Sequence, residues 1–193
     1  MGRVLQIVIS LVSIKVATKY LEANEMGNLY LIMSIVGFYG LFLVNPIGQY
    51  INRYTHQWYD QKKIINVFYI FNFYVLALSL FSIGITYLLC QSGVGNTIEL
   101  FYFILFVALF IYFNTWNQTI IPMINMLEGR ITFVVFTLLT QLLILIFAVY
   151  LINNWEAKGI MWFLGQVIAF GLMAFIALVF FVKKIQGNFS IKE

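Results

Sequence analysis

The sequence predicts an all-α integral membrane bundle of six transmembrane helices. Of the 193 residues 63% are hydrophobic and 19% aromatic, including 20 phenylalanines and 12 tyrosines, more apolar bulk than one soluble core of this size encloses. Only 9% of residues are charged, and they cluster. The charge-free gaps lie between Glu25 and Arg53, Lys63 and Glu99, Glu99 and Glu128, Arg130 and Glu156, and Lys158 and Lys183, each longer than 23 residues. A helix needs about 20 apolar residues to cross about 30 Å of hydrocarbon while satisfying its own backbone hydrogen bonds, so each gap holds one span.

In chain order the first span is the shortest. Val4 to Ile14 supplies eleven uncharged residues, and the run continues as IKVATKYL once Lys15 snorkels its ammonium along its own stem to water. That gives a span over about 4–21. Arg3 followed by an apolar stretch also fits the opening of a cleaved signal peptide, but no clear A-x-A site follows, and Lys15 and Lys19 flank the small residues where one would lie. KYLEANEMG then forms an external hairpin that keeps Glu22 and Glu25 hydrated. The remaining spans are expected over about 27–51, 64–90, 100–127, 131–152 and 159–182, with residues 1–193 forming a single transmembrane domain.

Orientation follows from the basic residues. With a cytoplasmic N-terminus the inner segments carry Arg3, Arg53, Lys62, Lys63, Arg130, Lys183, Lys184 and Lys192, whereas the outer loops hold only Lys19 and Lys158. Both termini are then cytoplasmic, and the loop CQSGVGNTIE lies outside. The same asymmetry accounts for the net charge of +4, so no nucleic-acid partner is expected.

Several chemistries are disfavoured. Cys90 is alone, leaving neither a disulfide framework nor a thiolate metal cluster. His56 and Asp60, in HQWYD, have the spacing of some acyl-transfer bases and share a face if helical, but no neighbouring polar cluster would hold an acyl donor. They read instead as a solvated cytoplasmic loop. GVGN is a turn rather than a phosphate loop. No catalytic residue, metal or cofactor is expected.

Polar residues inside the spans are more informative. Asn114, Asn117, Gln118 and Asn125 recur at helical spacing on the fourth span, with Pro122 bending it; Asn45, Gln49 and Asn52 repeat this around Pro46 on the second. Gln6, Ser10 and Ser13 form a stripe on the first span, and Thr137, Thr140 and Gln141 one on the fifth. Such stripes either hydrogen-bond between helices or line a shared hydrated cavity. No Asp or Glu lies inside any expected span, which disfavours a coupling carboxylate.

The stretch KYLEANEMGNLYLIMSIVGFYGLFLVNPIGQYINRY resembles the first hairpin and second helix of the polysaccharide-biosynthesis flippases, the O-antigen and teichoic-acid type exporters of the multidrug/oligosaccharidyl-lipid/polysaccharide superfamily. Tyr20, Leu21, Glu25, Gly27, Tyr30 and Ser34 match one motif of that family, and Gly48, Tyr50 or Ile51, and Arg53 match its "G..y..R" ending. GRVLQIVISLVS is similar to the latter part of the family's first helix. Glu22 stands where the family usually has glycine, and NPIG replaces a small-residue entry to the ending.

That resemblance implies an N-terminal six-helix lobe of a two-lobe transporter in the bacterial cytoplasmic membrane, lacking even the start of its first helix. It implies a partner lobe, supplied by a missing C-terminal half, a second copy or a separate chain, because one lobe cannot form two alternating faces. The implied substrate is a polyprenyl-pyrophosphate-linked glycan, flipped without covalent chemistry. Lys15 and Arg53 would grip its phosphates. Asn45, Gln49, Asn114, Asn117, Gln118 and the tyrosines would meet its sugars, with Trp116 as a stacking face and Trp58, Trp155 and Trp162 as interfacial anchors. Alternatives are another exporter of the superfamily such as a multidrug-type transporter, a membrane-embedded acyltransferase using His56 and Asp60, or a membrane scaffold.

Overall fold

The structure, a computed structural model, describes residues 2–95, 97–127 and 129–184. Glu128, Lys192 and the side chain of Lys184 lie outside the described residues. All elements are helical: α1 (Gly2–Tyr20), α2 (Ala23–Tyr39), a π-helical segment (Gly40–Val44), α3 (Asn45–Asp60), α4 (Ile64–Gln91), α5 (Leu100–Leu127), α6 (Arg130–Asn154) and α7 (Gly159–Lys184). Five rods are long and apolar enough to cross a membrane: Ala23–Asp60, Ile64–Gln91, Leu100–Leu127, Arg130–Asn154 and Gly159–Lys183. Helix α1 is not among them, since its 19 residues include Arg3, Lys15 and Lys19. It lies mainly along α6 and buries only Ala17. The chain is a multi-pass membrane helical protein.

The second rod differs most from expectation. At 1.5 Å per residue its 38 residues rise about 57 Å, nearly twice the ~30 Å hydrocarbon thickness, so the helix continues well beyond the membrane. Residues 52–60, expected as loop, are helical because no glycine or proline interrupts residues 49–60. His56 and Asp60 are exposed one turn apart on α3, while Ile51 and Thr55 are buried. The helix ends in a Schellman closure, with the Lys62 amide donating to Tyr59 and the Lys63 amide to Trp58. Lys62 takes the left-handed conformation, φ 58°, that glycine usually fills there.

Helices α5 and α7 are central. Ile32, Val36, Phe103, Val107 and Phe163 form one core where α2 meets them, and Ile64, Val75, Ile120, Met173 and Phe181 form another beside α4. Between lipid-embedded helices the hydrophobic drive is small, so close packing and hydrogen bonds hold the bundle. Helix α7 crosses α6 closely: a Cβ on Gly165 would stand 2.5 Å from the Ala148 amide nitrogen. The perimeter is apolar, with Ile131 83% and Phe101 71% exposed, as a lipid-facing surface requires.

Glu25 corrects the picture of a hydrated hairpin. It is half-buried in the first turn of α2, where its carboxylate accepts from Asn28 Nδ2 at 3.2 Å and from the Gly159 amide at 2.7 Å. One carboxylate thus serves the N-terminal ends of two helices, both favourable places for negative charge. The approach demands glycine at 159, where a Cβ would stand 2.3 Å from the Glu25 carbonyl oxygen. Nearby, Lys158 pairs with Glu156 at 2.6 Å, and this hydrogen bond and charge hold the ammonium pKa above its ordinary value.

Candidate functional site

Three crevices run together between α1, α2, α5, α6 and α7. One of about 410 Å³ is lined by Asn117, Gln118, Thr137, Thr140, Gln141 and Phe170 among others. A second, about 380 Å³, has Ser10, Ser13, Gln141, Gln166 and Phe170 in its wall. The third, about 370 Å³, brings in Asn45, Asn114, Gln118, Gln166 and Phe170. Phe170 belongs to all three, and Gln118, Gln141 and Gln166 each bridge two, so the crevices form one branched groove.

Local sequence explains its polarity. The Thr137 and Thr140 hydroxyls in its wall donate back to carbonyls one turn earlier, which satisfies them within their own helix. Pro122 has no N–H to give the Gln118 carbonyl, so the backbone ladder of α5 lacks a bond where Gln118, Ile121 and Pro122 line the groove. The groove amides are not all satisfied in this way. Accordingly Asn114 Oδ1, Asn117 Nδ2 and Gln141 Oε1 are buried without a hydrogen-bond partner in the protein. A buried unsatisfied polar group costs about 1–3 kcal/mol, so the groove favours a ligand, or water, that supplies donors and acceptors.

No Lys, Arg, His, Asp or Glu is among the described residues lining the groove. It offers neutral hydrogen bonding beside the aromatic faces of Phe110, Phe133 and Phe170. Hydroxyl-rich neutral groups suit such a surface better than isolated ions do.

Of the residues expected at a site, Asn45, Asn114, Asn117 and Gln118 are brought together. Ser10, Ser13, Thr137, Thr140 and Gln141 join them. Lys15, Gln49 and Arg53 are exposed and do not line the groove. Lys15 falls two residues from Ser13 and two from Ala17, hence on the far side of α1 from both. The aromatic assignments change too. Trp116 turns away and packs edge-on against Phe68 and Phe71, whereas Trp162, expected at an interface, is buried and lines the second crevice with Tyr30. Trp155 is exposed, and Trp58 clusters with Tyr50 and Tyr54. Gln166 is the important addition. As the one amide between Lys158 and Lys183 it was visible in the sequence, but it belongs to no stripe.

Comparison with protein-family models, curated proteins and solved structures finds no match to this chain.

Proposed function

We propose that this protein is a membrane transporter, or one lobe of one, that carries a lipid-linked oligosaccharide or polysaccharide precursor across the bacterial cytoplasmic membrane by alternating access. The observation supporting this reading is the neutral groove, in which orphaned amide atoms of Asn114, Asn117 and Gln141 stand inside a membrane bundle. A glycan's hydroxyls would supply the missing partners, and aromatic faces would stack on its rings. The flippase-like motif around Tyr20–Arg53 supports the same substrate class. In this reading both termini are cytoplasmic, a second lobe closes the groove, and no covalent step is needed.

Reconstitution tests it. Full-length protein in proteoliposomes, with its partner lobe where that is a separate chain, is expected to expose a fluorescent undecaprenyl-pyrophosphate disaccharide to an external lectin faster than empty vesicles do. Exposure at the empty-vesicle rate would reject the reading.

A further inference from the structure

A second, wholly different crevice of about 480 Å³ lies between α4, α5 and α7. Its floor is Phe68, Trp116 and Ala174, and the exposed rings of Tyr69 and Phe175 flank its mouth, so it opens onto the apolar perimeter. Along α7 it runs from Gly171 to Val182, about 16 Å at 1.5 Å per residue, which matches the ~15 Å depth of one hydrocarbon leaflet. The polar atoms deep in it are largely accounted for: the Tyr112 hydroxyl donates to Asn72 Oδ1 at 2.7 Å. One apolar chain therefore fits where a sugar would not.

The end of this crevice is basic. Phe68 stacks on Phe181 with ring centroids 5.5 Å apart, bringing the start of α4 to the end of α7. Lys62 and Lys63 directly precede α4, and Lys183 follows the crevice-lining Val182; all three are exposed. Over α4 and α7 and residues 60–63 before α4, the sequence sets one carboxylate, Asp60, against Lys62, Lys63 and Lys183 at this end. Lys62 keeps its charge at a left-handed position where glycine would be less strained.

We propose that this crevice binds an anionic phospholipid, with one acyl chain along α7 towards the bilayer midplane and the phosphate headgroup on Lys62, Lys63 and Lys183. Clustered lysines at the membrane surface attract anionic headgroups, and the crevice adds a defined path for the tail. The site is independent of the transport reading, because it requires only that the helices span a bilayer.

Native mass spectrometry of the full chain in neutral detergent tests this, using phosphatidylglycerol and phosphatidylcholine of identical tails. Phosphatidylglycerol is expected to be retained preferentially, and Lys62→Gln, Lys63→Gln and Lys183→Gln to weaken retention roughly fivefold each, while Lys→Arg at the same positions preserves it. Glycerol phosphate should not displace the lipid, since it lacks the tail. In vesicles, phosphatidylglycerol brominated along the chain should quench tryptophan fluorescence, and Trp116→Phe should remove part of that quenching. Equal retention of both lipids, indifference to the glutamine changes, displacement by glycerol phosphate, or quenching unchanged by Trp116→Phe would each overturn the assignment.

Discussion

The Tyr74 hydroxyl donates to the carbonyl oxygen of Leu43 at 2.9 Å, reaching from α4 to the π-helical segment. That segment interrupts the regular ladder, and Pro46, just after it, has no N–H to contribute. Tyr74 thus ties a carbonyl of the irregular segment to a donor 31 residues away. The two halves of the rod also rest on different neighbours, α2 chiefly on α7 and α3 chiefly on α5. Tyr74→Phe is expected to cost about 0.5–1.5 kcal/mol and to speed amide exchange around residues 43–48 while leaving α6 unchanged. Hydrogen exchange followed by mass spectrometry reads this directly; unchanged protection there would show that the bond holds nothing.

Gly37 and Gly40 lie in the same region, and neither has a neighbour within 4 Å of an added Cβ. Packing does not require them, yet each costs about 0.8–1 kcal/mol relative to alanine inside a helix. They therefore suit a helix that bends in use. Gly37→Ala and Gly40→Ala are each expected to raise thermal stability in detergent and to slow transport. Higher stability with unaltered transport would argue that the rod works as a rigid body.

Gly165 makes the opposite case. Its Cβ would meet Ala148 Cα at 2.6 Å as well as the amide, so no rotamer change relieves a substitution. Gly165→Val is expected to destabilise by about 1–3 kcal/mol through separation of α6 from α7. Denaturant titration in mixed micelles measures it, and a loss below about half a kcal/mol would contradict the close crossing.

The proposed topology, with both termini cytoplasmic, rests on the basic asymmetry. Cysteines at Asn24 and Gly95 should react with impermeant reagents from outside, and one at Gln61 only after permeabilisation, with native Cys90 replaced by Ser. Labelling of the Gln61 position in intact cells would invert the assignment.

The helices were legible because charge is so costly in hydrocarbon: Lys63 directly precedes α4, Glu99 directly precedes α5, and Arg130 opens α6. Whatever depended on which way a side chain faces was not. Trp116 and Trp162 are both buried, on faces that tertiary packing alone selects, because the strongly apolar residues around each give no sequence mark of the inner side. The burial of Glu25 is not legible locally, because its partner, the Gly159 amide, lies 134 residues away. Gln166 is a lone amide and makes no stripe, yet in a span otherwise free of amides its isolation is itself a signal.

The groove amides distinguish transport from packing. If Asn114, Asn117 and Gln141 held the helices together, replacing one with leucine would break an interhelical hydrogen bond and lower stability. Each instead has a buried atom without a partner, and exchanging an unsatisfied polar group for an apolar one of similar size is nearly neutral or stabilising. Asn114→Leu, Asn117→Leu and Gln141→Leu are therefore expected to leave the melting temperature unchanged or raised, while transport of a lipid-linked sugar falls about tenfold, roughly 1.4 kcal/mol, for each hydrogen bond denied to the substrate. Lys15→Met, on the far side of α1 from the groove, should leave transport near the wild-type rate. Cysteines at Asn114 and Gln118 should react with water-soluble thiol reagents, and cysteines at the buried Val107 and Ala108 should not. Lower stability together with proportionally lower transport in the leucine variants would return these amides to a packing role.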